Sequence, residues 1–297
     1  MCKNRQYETD DELTRNDIQT LLSQAKEAGI KQVTIGGGEP LIREDIFRII
    51  ELSHKMGFLT SLVSNGTLID QATAKKLLNN GSLFRLGISM DGIEHTHDEI
   101  RAMEGAYQKT LKGLKNLIKV KKDNHSRTFL YINTVISKLN VKQLPKIAEL
   151  ARNLHIGLLC QPVYLNNGDL RDALWINDGG LRELEDAMRL LRSQKNVMNA
   201  NHLLVDYFKR PLTSEDFTCP IAFQQIGVDA QGNFFNCPHH DRQLANFKTT
   251  SIQEFLASEA YQRSIERTRR CHDCLLNCAY TPSRFLKFAA KYFLFEK

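Results

Sequence analysis

Gln32-Val33-Thr34-Ile35-Gly36-Gly37-Gly38-Glu39-Pro40 is the stretch whose reading decides the fold. A short β-prone run, Val33 to Ile35, stops at three glycines, and a carboxylate and a proline follow. Glycines at a strand end let backbone carbonyls and amides approach a ligand with no Cβ in the way. Pro40 fixes its own φ and biases Glu39 away from helix, which holds Glu39 on an extended turn. The product is a polar shelf at the carboxyl end of a strand, where α/β folds place ligands. Backbone carbonyls beside a carboxylate suit an ammonium group. They suit a phosphate poorly, because phosphates call for N–H donors and a helix N-terminus.

Working outward, 11–165 alternates strand and helix. Thr14-Arg15-Asn16-Asp17 opens the first helix as a capping box with Asp in the reach-back position, and Ala28-Gly29 stops it. Strands are expected over 32–35, 58–63, 84–89, 128–136 and 156–164, and helices over 44–56, 71–79, 107–121 and 141–153. Strands separated by helices imply parallel pairing with right-handed crossovers. The strand ends carry polar and small residues, Gly37 to Glu39, Ser64 to Gly66 and Ser89 to Gly92. In a β/α barrel these ends share one working face. Residues 166–210 read as a helical bridge. From 211 the texture changes to a β-hairpin, 223–229 and 234–237, over the turn Ala230-Gln231-Gly232-Asn233, then a helix near 252–258. In the tail 284–297, Phe285, Phe288, Tyr292 and Phe295 recur at helical spacing among Arg284, Lys287 and Lys291. It reads as a terminal helix packed on the body, with peripheral contact to a membrane surface or partner as the alternative.

The 297 residues are 42% hydrophobic and 25% charged, ordinary for a folded domain. A formal net charge of +6 is too small to argue for nucleic acid. No apolar run reaches membrane-spanning length and the first residues do not form a signal peptide, so a cytoplasmic location is expected. Seven cysteines, an odd count in a reducing compartment, argue against a disulfide framework and for metal ligation. Cys219 and Cys237 flank the hairpin with 17 residues between them, and Cys271 and Cys274 are spaced as two thiolates on one loop, with Cys278 just beyond. These residues read as a four-thiolate site, for which zinc and iron–sulfur remain equal candidates. Cys160 sits in an apolar strand and reads as a small buried residue. Cys2, ahead of the first helix, is expected above the barrel mouth on the face of Glu39.

Together these motifs resemble the radical S-adenosylmethionine (SAM) enzymes that carry a C-terminal SPASM or Twitch auxiliary-cluster domain, along nearly the whole chain. The resemblance implies a 4Fe–4S cluster held by a C-x3-C-x2-C loop, with one iron open to the amino and carboxylate groups of SAM. Gly37-Gly38-Glu39-Pro40 matches the segment that contacts the SAM amine. Ser64-Asn65-Gly66-Thr67 matches a segment near SAM, and Ser89-Met90-Asp91-Gly92 with His97-Asp98 and Arg101 matches the next. Asn133 falls where a strand offers a polar residue to SAM. The implied SAM-binding residues are therefore Gly37, Gly38, Glu39, Ser64, Asn65, Ser89, Asp91 and Asn133. Cys219, Cys237, Cys271 and Cys274 match one Twitch-type auxiliary 4Fe–4S cluster, with Cys278 either replacing Cys271 or free. The departures are Gly36 in place of a small hydroxyl residue, Ala245-Asn246 in place of Gly-Asn, and one cysteine, Cys2, where the first motif has three.

The expectation is an α/β chain: a partial (β/α)6 TIM-like barrel over 1–165 lacking its first strand, a bridge over 166–210, an α+β auxiliary-cluster domain over 211–283 and a basic tail. The implied protein is an oxidoreductase or maturase whose start lies upstream of Met1. It would cleave SAM reductively to a 5′-deoxyadenosyl radical, abstract hydrogen from a peptide or small molecule, and draw electrons from a donor such as flavodoxin or ferredoxin. No catalytic side chain is assigned. The alternatives are a truncated remnant holding only the auxiliary cluster, and a barrel with a structural zinc.

Overall fold

The computed structural model describes residues 12–164, 171–198, 203–211, 213, 215, 219, 221–241 and 243–274. Cys2, Cys278 and the tail 284–297 lie outside these residues. Five strands form a wholly parallel sheet in sequential order: β1 (Gln32–Ile35), β2 (Leu59–Ser64), β3 (Arg85–Ser89), β4 (Phe129–Ile136) and β5 (Gly157–Pro162). Helices α1 (Arg15–Glu27), α2 (Ile46–Lys55), α3 (Gln71–Leu77), α4 (His95–Arg101), α5 (Ala106–Asp123) and α6 (Leu144–Asn153) alternate with them. The α1 capping box forms as written, Thr14 and Asp17 exchanging backbone and side-chain bonds. Successive strand residues face opposite ways. Leu62, Leu86, Ile88, Leu130, Ile132 and Leu158 enter the main core. The alternate row carries Ser61, Arg85, Ser89 and Asn133, and the register sets Ser89 beside Asn133. The sheet therefore has an oily side under helices and an opposite side on which Phe129 and Tyr131 stack low in the sheet while Ser89 and Asn133 make the carboxyl ends polar.

Helix packing there is tight at one glycine. A Cβ on Gly113 of α5 would lie 2.3 Å from the Gly66 carbonyl oxygen, and Thr110 of the same helix donates to the Asn65 carbonyl at 2.9 Å. This close approach is what presses α5 against the loop after β2.

Beyond β5 come α7 (Arg171–Leu174), α8 (Asp178–Arg192) and α9 (Leu203–Lys209), and then a small antiparallel sheet of β6 (Gly227–Val228), β7 (Asn233–Phe235) and β8 (Ala245–Asn246). The hairpin is shorter than its sequence suggests. Ile221–Gln224 is a helical turn, α10, and pairing starts at Gly227, where the Phe235 ring leaves no room for a Cβ. Helices α11 (Ile252–Ala257) and α12 (Glu259–Arg269) complete the module. Its apolar cluster, Phe234, Ile252, Phe255 and Tyr261, is continuous with Leu22 and Ala25 of α1 and with Phe58. Two hydrogen bonds reinforce the join, from Leu13 N–H to the Ala230 carbonyl at 2.7 Å and from Ile252 N–H to the Gln24 side-chain Oε1 at 2.9 Å. Among the described residues no helix is long and apolar enough to cross a membrane.

Gly113→Ala is expected to lower the unfolding free energy by roughly 1–3 kcal/mol, because backbone rather than a flexible side chain must yield. Urea denaturation checks this. Gly179→Ala in α8, whose nearest contact would be Asn177 Oδ1 at 3.6 Å, is the control and should leave the midpoint unchanged or raised.

Candidate functional site

At the sheet's carboxyl edge Glu39 ties two loops together. It caps a 3-10 turn at Pro40–Ile42, and its Oε1 accepts from Leu41 N–H at 3.2 Å and from Ser64 Oγ at 2.8 Å. Oε2 accepts from Asn65 N–H at 2.7 Å. A carboxylate offers about four acceptor positions. Among the described residues three are filled, and one on Oε2 remains for a further donor. Gly36, Gly37 and Gly38 are exposed, and a Cβ built on any of them meets nothing within 4 Å. Only Gly37, at φ +122°, needs glycine for its backbone. The shelf thus borders open space that side chains would otherwise fill.

The other sequence-singled residues divide by what they touch. Ser64 is 2% exposed and receives Gly66 N–H at 3.0 Å, so it stands behind Glu39 as a prop. Asn65 folds its side chain onto Thr67, whose N–H and hydroxyl both donate to Oδ1. Ser89 and Asn133 lie half-buried, side by side, on the polar side of the sheet. Asp91 is fully buried. Its Oδ1 accepts from Val135 N–H at 2.8 Å, its Oδ2 pairs with Arg101 at 2.7 Å, and Asn140 Nδ2 donates to its carbonyl. Burial pushes this carboxyl up, opposed by Arg101 and the Val135 N–H. Asp91 thus braces the loop after β3 in place of lining a pocket.

His97, 1% exposed, shares that brace. Its Nδ1 accepts from Asp91 N–H at 3.1 Å, which leaves the ring hydrogen on Nε2. Burial, seconded by Arg101 and opposed by Asp98, pulls its pKa down to about 4. Asp98 takes Gly105 and Tyr107 N–H on its two oxygens, which shape the turn into α5.

The second locus begins where β5 ends. Tyr164 packs at a 42° tilt against His239 of the loop after β7, ring centroids 3.8 Å apart. Cys219, Cys237, Cys271 and Cys274 are all unpaired by disulfide, and all but Cys271 are buried. They lie close enough that Cys237 opposes ionisation of Cys219, and Cys219 that of Cys271. Burial is the larger cause in both and pushes Cys271 up to about 11. Tyr164 rises to about 12, through burial first and then through Cys274, Asp273, Cys237 and Cys271. Sequestered thiols that resist ionisation on their own are the donor set a soft, positively charged metal centre converts to thiolates. Asp241, 4% exposed, holds the Cys237 turn: its Oδ2 accepts Cys237 N–H at 2.8 Å, Asn236 N–H at 3.2 Å and Ser264 Oγ at 2.6 Å, and Arg267 pairs with Oδ1.

Sequence reasoning left His239, His240, Asp241, Asp273 and Tyr164 without roles. Each is a single polar residue outside any motif except Asp273, which lies between Cys271 and Cys274. The one signal was the closeness of Asp241 to Cys237, four residues apart, which permits a side-chain clamp on a tight turn.

Comparison with known proteins adds three findings. The model of the Radical SAM superfamily matches residues 1–151, and that of an iron–sulfur cluster-binding domain, SPASM, matches 219–278. The Fe-coproporphyrin III synthase of Methanosarcina barkeri is 32% identical over 156 residues, 52% of this chain and 37% of that protein. A PqqA peptide cyclase of Granulibacter bethesdensis is 28% identical over 256 residues, 84% of this chain and 66% of that one. The matched stretch thus spans under two-fifths of the Methanosarcina protein. Among solved structures, anSMEcpe with bound AdoMet and Kp18Cys peptide superposes with a TM-score of 0.66 at 15% identity, covering 95% of this chain and 88% of that one. Streptococcus suis SuiB bound to S-adenosylmethionine gives 0.63 at 18%, covering 85% and 60%.

The His97 shift fixes a pH dependence. Above pH 6.5 the ring is neutral in folded and unfolded chains alike. Between 6.5 and about 4 the unfolded chain takes up a proton that the folded one refuses, so stability falls as pH falls. The loss is expected to approach about 2–3 kcal/mol. His97→Gln keeps an acceptor for Asp91 N–H and removes the titration. Its urea midpoint should drop less than that of the parent between pH 7 and pH 4.5.

Proposed function

Because the chain belongs to the radical SAM superfamily and carries a SPASM iron–sulfur module, we propose that it serves reductive cleavage of SAM for hydrogen abstraction from a peptide. The observation that carries this reading is the Glu39 carboxylate, fixed by Ser64, Asn65 N–H and Leu41 N–H with one acceptor position left at the open glycine shelf. A SAM ammonium is a donor of the right charge for that position. Gly37 and Gly38 leave room beside it, and Ser89 and Asn133 line the polar side of the sheet where the nucleoside would lie. Asp91 acts one step back, by holding the β3 loop with His97 and Arg101.

When bound, a 4Fe–4S cluster with an open iron supplies the electron that breaks the SAM sulfur–carbon bond. Cys2 is the residue of this chain assigned to that cluster. Cys219, Cys237, Cys271 and Cys274 are assigned to the auxiliary one, and the burial of Cys219, Cys237 and Cys274, with no disulfide among the four, fits it. A peptide is favoured as substrate because the PqqA peptide cyclase alignment runs through both modules, 256 residues, whereas the haem-pathway alignment stays within 156.

Glu39→Gln is expected to weaken SAM binding roughly 10- to 100-fold, the worth of a hydrogen bond to a charged group, with auxiliary iron content unchanged. Equilibrium dialysis of anaerobically reconstituted protein with labelled SAM measures it. Unaltered affinity would remove Glu39 from the site.

A further inference from the structure

One side chain beside the thiol cluster has no part in the reading above. His240 lies three residues after Cys237, on the turn that closes through Asp241 N–H to the Cys237 carbonyl at 2.9 Å. That turn is pinned on both sides, by the Asp241 carboxylate and by the His239 ring against Tyr164. The backbone of His240 is therefore fixed, and its ring reaches across to the segment after α12. Its Nε2 stands 3.4 Å from Cys271 Sγ and 3.4 Å from Asp273 Oδ2. The three donor atoms lie within 4.8 Å of one another.

A thiolate and a carboxylate facing one imidazole nitrogen are both acceptors, so that nitrogen carries its hydrogen and donates. A hydrogen bond to a cluster sulfur withdraws charge from it and stabilises the reduced, more negative state, which raises the reduction potential. We propose that His240 tunes the auxiliary centre, its Nε2–H donating to the sulfur of the ligand Cys271 while Asp273 aims the ring. His240 is a positioning and tuning residue, since four thiols complete the ligand set without it. The inference rests on Cys271 being a ligand of that centre.

The same 3.4 Å spacing also matches one edge of a tetrahedral site in which nitrogen and sulfur share a single ion, about 3.5 Å for zinc distances. The experiment must therefore separate tuning from ligation. The full chain, reconstituted anaerobically, is titrated with dithionite while the reduced auxiliary centre is followed by EPR, for the parent, His240→Ala and His240→Gln. The expected result is unchanged iron and sulfide in all three, a more negative potential in His240→Ala, and an intermediate one in His240→Gln, whose amide can still donate. An unmoved potential in a fully loaded His240→Ala protein overturns the proposal. So does loss of iron from His240→Ala, or strong nitrogen hyperfine coupling in the parent, either of which makes His240 a ligand. Parent protein that takes up no iron overturns the iron–sulfur reading itself, a result distinct from an unmoved potential.

Discussion

Parallel pairing is the constraint from which the rest follows. Five strands running the same way place every strand-to-helix turn at one edge of the sheet. Residues far apart in sequence, Glu39, Asn65, Ser89 and Tyr164, thereby arrive on a common rim. The side-chain alternation of each strand then separates oil from polar groups, so the rim opens over Ser89 and Asn133 while Leu86, Ile88 and Ile132 hold the helices. Glu39 uses this arrangement directly: it joins the turns after β1 and β2 and keeps part of its acceptor capacity.

The loop after β3 is held differently. Asp91, His97, Arg101 and Asn140 bury charge and polarity beneath it, an expensive choice in a low-dielectric interior unless the members satisfy one another. Here Val135 N–H, Asp91 N–H and the Asp91 carbonyl find partners and Asp91 Oδ2 has the Arg101 charge, while Arg101 Nε is left without a hydrogen bond among the described residues. The effect is a rim segment whose backbone is specified by hydrogen bonds on the side away from the rim.

How much of this the sequence discloses depends on which force shapes each piece. Strands β1 to β5 and their helices were legible because apolar periodicity and glycine stops coincide. The Thr14 cap was legible because its partner sits three residues on. Helix α12 leaves no such trace: its inward face is Tyr261, Ser264 and Thr268, so no apolar stripe marks it. Strand β8 is two residues long, and α4 starts from Glu94 at φ +51°, so neither leaves a periodic trace. At the site, types and spacings singled out Glu39 and the cysteines. They could not separate a lining residue from a support, and Ser64 and Asp91 fall on the support side because burial is a property of the folded chain. His240 was invisible for the same reason, its partner Cys271 lying 31 residues away.

The apolar seam that runs from Leu22 and Ala25 of α1 through Phe58 to Phe234 and Phe255 has a mechanical meaning. A helix that belongs at once to the barrel wall and to the thiol-bearing lobe acts as a weld, not a tether. The interval between the glycine shelf and the sulfur pocket is then dictated by the thickness of shared hydrocarbon, as rigidly as the spacing of two jaws forged on one handle.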